Sequence, residues 1–140
     1  MLPITLLVKK MKTNLFTIAD AATMCCGKLN ILGSFNLLEA DKFPASCGNG
    51  CIVLCEVLME HEDSGDHQIV FEVIDPDGGS LLRSPAHEFS MEVEIGSNYQ
   101  YVHSWGIESF PMPKPGTFYI DVTVDGRLLA RTPLTIAKRT

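Results

Sequence analysis

Two histidines bracket an acidic run, His61-Glu62-Asp63-Ser64-Gly65-Asp66-His67. If the run is the tip of a hairpin, the two imidazoles come to face one another with Asp63 and Asp66 beside them. That donor set suits a divalent metal or acid–base work. A hydrated hairpin tip has the same composition, so the pattern alone assigns no metal and no other cofactor. A second group is the five cysteines, Cys25, Cys26, Cys47, Cys51 and Cys55. Cys51 and Cys55 fall on one face of a strand pattern, ~13 Å apart at ~3.3 Å per residue, which is too far for a disulfide or a shared ion. Structural zinc sites set cysteine pairs on turns, so all five are read as small buried apolar residues. The third group is Tyr99, Tyr101 and Trp105, on one parity of a strand pattern. Facing water they form a flat platform for a sugar ring or a protein partner; facing inward they are core. Glu88, Glu92 and Glu94, with Glu72, Asp121 and Asp125, make acidic outer faces without the cleft that paired catalytic carboxylates need. No G-x-S-x-G, H-E-x-x-H, phosphate loop or dinucleotide fingerprint occurs.

The elements that carry these residues are strands. In residues 116–136, Phe118, Ile120, Val122 and Val124 alternate with Tyr119, Asp121, Thr123 and Asp125, the period of a half-buried strand. Asp125-Gly126 tolerates positive φ at both central positions of a type I′ turn, so the chain reverses there. The proline-rich run at 111–116 lacks amide donors and is expected to be a loop outside any ladder. Residues 14–23 and 28–35 read as two strands joined at Cys25-Cys26-Gly27, with Gly33 a bulge or a close approach. Asp20 shares the parity of Phe16 and Ile18 and is expected to point inward, pinned by amides or by Lys28. Residues 37–41 favour a single helical turn. In residues 51–60, Cys51, Val53, Cys55, Val57 and Met59 form an apolar row backed by Ile52, Leu54 and Leu58, as a central strand requires. Residues 68–75 form the next strand, and Asp75-Pro76-Asp77-Gly78-Gly79 is a turn. A short edge piece at 80–84 and a strand at 87–95, with Phe89, Met91, Val93 and Ile95 inward, complete the pattern. The whole predicts an all-β chain, an antiparallel Ig-like β-sandwich of about seven to nine strands with at most one short helical turn.

The 140 residues suit one domain, residues 11–140, preceded by an extension at 1–10 that is either a loose tail or an added edge strand. Lys9, Lys10 and Lys12 follow the apolar run at 2–8 instead of preceding it, the reverse of a secretory signal, and Met11 is an alternative start. Eleven scattered basic residues and a net charge of -6 argue against a nucleic-acid surface, and no apolar run is long enough to span a membrane. An odd number of cysteines without a secretory signal points to reduced thiols in a cytoplasm.

Ile18-Ala19-Asp20-Ala21-Ala22, the stretch from Gly27 to Phe35 (GKLNILGSF), Phe43-Pro44 and the run from Pro115 to Gly126 (PGTFYIDVTVDG) resemble a family of small bacterial proteins of unknown function. The resemblance covers nearly all of the chain from Met11 on and implies an Ig-like β-sandwich in a bacterial cytoplasm. It implies no activity and no site residues. The expectation is therefore a non-enzymatic sandwich acting as a protein-interaction or structural module. Its partner would be another protein or a further copy, met through a sheet face or edge. The alternatives are a metal-binding or enzymatic protein using the His61/His67 loop, or a carbohydrate-binding module using the Tyr99/Tyr101/Trp105 strand.

Overall fold

The computed structural model describes residues 11–140, so the expected extension at 1–10 lies outside the described residues. Twelve strands run in chain order among the described residues: β1 (Lys12–Cys25), β2 (Lys28–Phe35), β3 (Leu37–Ala40), β4 (Ala45–Cys47), β5 (Cys51–Glu60), β6 (Gly65–Ile74), β7 (Ser80–Arg83), β8 (His87–Met91), β9 (Asn98–Ile107), β10 (Phe110–Met112), β11 (Gly116–Val124) and β12 (Arg127–Lys138). One sheet has the order β2-β1-β5-β9; the other has the order β3-β12-β11-β6-β7, with β8 beside β7 along the same edge of β6. A short ladder of β4 with β10 stands apart from both. The second sheet keeps the G-F-C-C′ order of Ig-like sandwiches, with β12, β11, β6 and β7 in those places.

Alternation puts the apolar parity of each long strand between the sheets. Cys51, Val53, Cys55, Val57 and Met59 face Ile69, Phe71 and Val73 of β6 and Phe118, Ile120 and Val122 of β11, all buried in one core. Each such side chain contributes about 1.5–3 kcal/mol by leaving water. Asp125 (φ 54°) and Gly126 (φ 79°) make the β11–β12 turn, and Cys26 (φ 55°) with Gly27 (φ 74°) makes the β1–β2 turn. Both are the doubly left-handed geometry that matches strand twist.

Five local expectations are overturned. Residues 37–41 form no helical turn, because Leu37–Ala40 lies parallel to β12 and takes its backbone partners from that strand. Pro111 sits inside the β4–β10 ladder opposite Ser46, and a two-stranded ladder has outer edges where a missing amide is harmless. Ile95 is 82% exposed, since β8 ends at Met91 and the chain turns away after Val93. Asp121 is not part of an open acidic face: it is buried under the Arg131 guanidinium, which it meets twice, at 2.6 and 2.9 Å. Finally, residues 60–67 do not form a hairpin, because β5 belongs to the first sheet and β6 to the second. The acidic run is the corner where the chain crosses between them.

Candidate functional site

At that corner the titratable side chains serve the backbone. His61–Asp63 is a 3-10 turn in which the Asp63 carboxylate accepts the Glu60 amide at 2.9 Å. His61 Nδ1 lies 2.7 Å from the Val93 carbonyl, and Ser64 Oγ accepts the Val93 amide at 3.0 Å. His67 sits with Nε2 2.5 Å from the Asp63 carbonyl and Nδ1 2.7 Å from Asp125 Oδ2. Both ring nitrogens face oxygen acceptors, an arrangement that favours the doubly protonated imidazolium. Burial alone would lower the His67 pKa, but the bonds to Asp125 and to the Asp63 carbonyl outweigh it and the net shift is upward. For Asp125, burial pushes the carboxyl up and the His67 and Gln68 amide bonds push it down, with a net lowering. Asp125 thereby ties the tip of the β11–β12 hairpin to the start of β6. Glu88, Ser90 and Asp66 complete the wall of an open depression of about 540 Å³ beside His67. His61 and His67 do not converge, and among the described residues no group of three His, Cys, Asp or Glu side chains is placed to hold a metal ion.

The aromatic strand turns most of its row inward along the sandwich edge. Tyr101 stacks on Phe89 at 4.0 Å between centroids, and Trp105 lies parallel to Phe71 at 6.4 Å. Both are half-buried against the core, while Tyr99 at the strand end is 50% exposed. The three rings therefore present no common flat face. His103 joins the same stack, 5.4 Å from Phe71 and 4.8 Å from His87. Burial, and then the neighbouring His87, lower its pKa from 6.5 to about 4. A histidine that resists protonation only when folded contributes stability that is intact above its unfolded pKa and is lost as pH falls through the folded value. Thermal midpoints are thus expected to fall between pH 6.5 and about 4. A His103→Gln variant should flatten that fall. An unchanged slope in the variant, followed by circular dichroism melts across this range, would assign the loss elsewhere.

Cys51 and Cys55 are buried, and burial raises their thiols to about 11 and about 12. Cys25 and Cys26 depart from the expectation: both are exposed at the β1–β2 turn, their sulfurs 3.6 Å apart. The reason is the length of β1. It pairs with β5 only from Lys12 to Ala19, where β5 begins with Cys51 and Ile52. Beyond Ala19 its one partner among the described residues is β2. Residues 20–33 are therefore a two-stranded arm that overhangs the sandwich.

The arm explains Asp20. Its side chain keeps the parity of Ile18, as expected, yet is exposed, because β1 has by then run past the start of its neighbour β5. It leans over Gly33, where a Cβ would come within 2.3 Å of a carboxylate oxygen and where φ is +70°. Only glycine fits both constraints. On that same face the pairs Ala22/Ile31 and Met24/Leu29 carry the inner apolar surface out past the core. Met24 is 58% exposed, and Leu32 on the reverse face is 70% exposed. Among the described residues no strand covers the outer edge of β2. This surface escaped the sequence reading, because β1 runs to fourteen residues, more than twice the usual strand, and no alternation in its sequence marks where the core stops.

No helix among the described residues is long and apolar enough to cross a membrane. No curated protein matches the chain. Among solved structures, it is similar to part of a β-glucosidase from Listeria innocua in complex with isofagomine, at 7% identity and a TM-score of 0.52 over 91% of this chain and 16% of that one. It is also similar to an alkylpurine DNA glycosylase, AlkC, from Pseudomonas fluorescens bound to DNA containing an abasic site analog, with 11% identity, a TM-score of 0.47 and coverage of 96% and 32%. An immunoglobulin-like protein from Pseudomonas aeruginosa aligns over 91% of this chain and 97% of its own at 12% identity, with a TM-score of 0.36. The chain thus spans about a third or less of the glycosylase and the glucosidase. At this identity the glucosidase likeness speaks to the sandwich fold alone. The model of one family of unknown function, DUF6941, matches residues 14–137, arm and sandwich together, and the chain belongs to that family.

Proposed function

We propose that this chain is a protein-interaction module that acts by contact and not by catalysis, and that the β1–β2 arm is its contact surface. One observation carries this reading: among the described residues, residues 20–33 leave the sandwich with a half-exposed apolar face and a strand edge that no other strand covers. A two-stranded ribbon is marginal in water on its own, so an arm of this length gains most from a third strand laid along it. Further support comes from the acidic corner, where His61, His67, Asp63 and Asp125 are engaged with backbone groups and with one another. The exposed neighbouring thiols of Cys25 and Cys26 suit a reducing compartment such as a cytoplasm.

Photo-crosslinking in the native cell tests the reading. A benzophenone amino acid at Ile31 is expected to trap a protein, and the same probe at Thr117, exposed on β11 in the second sheet, is expected to trap none. Equal products from both positions, or none from position 31, would remove the arm as a contact surface.

A further inference from the structure

We infer that the occupant of the β2 edge is a second copy of this chain, paired antiparallel about a two-fold axis near Asn30. This rests on the arm being a contact surface and names what it contacts. The two-residue turn Cys26-Gly27 makes Cys25 and Lys28 a hydrogen-bonded pair, and the register then alternates. Thr23/Asn30 and Ala21/Leu32 bond inward, so the backbone N–H and C=O groups of Leu29 and Ile31 point away from β1. With the axis at Asn30, Leu29 of one copy lies opposite Ile31 of the other, and each such pair exchanges two backbone hydrogen bonds. Leu29 and Ile31 share a face, so the same register joins the apolar strips of the two arms. The usual devices that blunt an edge are missing between Leu29 and Leu32: the run holds no proline, no charge and no bulge. Gly33, with its left-handed φ, marks where the free run stops.

Charge selects a like chain in this orientation. Asp20 and Lys28 are the charged residues of the arm, which is neutral overall although the whole chain carries -6. Two copies repel least where their neutral arms meet. Antiparallel pairing sets the Lys28 end of one strand beside the Gly33 and Asp20 end of the other and holds like charges apart. Two four-stranded sheets then become one continuous sheet, and a single closed, isologous contact completes both arms at once.

Sedimentation equilibrium of the purified chain over a dilution series is expected to return twice the chain mass at the upper concentrations. An Ile31→Pro variant, which removes an outward amide without touching the bonds to β1, should return the single mass. An Asn30→Cys variant should form a disulfide-linked dimer whose peptide map joins position 30 to position 30. That readout does not depend on the proline variant folding. A single mass at every concentration, a dimer that survives Ile31→Pro, or a link elsewhere would overturn the inference. If the purified chain stays single while the Ile31 probe traps a different protein in cells, the second copy falls and the arm as a contact surface stands. If that probe traps nothing either, both fall together.

Discussion

Replacing Phe71 with alanine is expected to destabilise the fold by about 3–5 kcal/mol, the range for removing a fully buried aromatic from a packed interior. Phe71 is 0% exposed at the centre of the sandwich. Phe16, His103 and Trp105 reach it from the first sheet with ring planes tilted by 11°, 19° and 10°. Its ring is thus the point at which the two sheets touch through parallel aromatic faces, and a methyl group leaves three neighbours facing a void. For a chain of this size the thermal midpoint should drop by roughly 10–20 °C. Trp105 emission should shift to the red in the native state, because its stacking partner is gone. A midpoint within about 3 °C of the parent would mean that the sheets are held together elsewhere.

Ser84→Ala is expected to cost about 1–3 kcal/mol, far more than the loss of one oxygen from a surface loop. Ser84 is 5% exposed, and its hydroxyl accepts the Phe71 amide at 2.8 Å. Its own amide in turn donates to the Phe71 carbonyl at 2.8 Å. The hydroxyl stands in for a strand at the gap between β7 and β8, which share one edge of β6 without meeting. Alanine leaves a buried amide without an acceptor, and water cannot reach it. Denaturant unfolding should show a lower midpoint with an unchanged slope. A midpoint equal to the parent's would indicate that the amide finds another partner.

The strands of the interior were legible because burial enforces a two-residue period. Phe118, Ile120, Val122 and the odd-numbered row of β5 could be placed from residue type alone, as could the type I′ turn at Asp125-Gly126. The sheet to which each strand belongs was not legible. Local composition around His61 and His67 is the same for a hairpin tip and for a corner between sheets, and the choice is made by β9 and β11, which take the neighbouring places beside β5 and β6. Asp20 shows the same limit from the other side. Its parity was correct, but exposure depends on where β1 loses its neighbour β5, and that is set by the start of β5 some thirty residues later. Cys25 and Cys26 went astray for the same reason. Ser84 carried a signal that only a partner strand could reveal, since its hydroxyl matters through an amide thirteen positions away.

The parallel ladder that joins residues 37–40 to residues 135–138 has a consequence for biosynthesis. A ribosome adds ~5–20 residues per second, so β3 emerges ~5–20 s before the strand it must lie against. During that interval β1, β2 and β5 can already assemble, since their pairings with one another need nothing beyond residue 60, while β9 joins β5 later. The nascent chain therefore shows its arm to the cell before its second sheet exists, and a partner caught at that stage would meet a half-built protein.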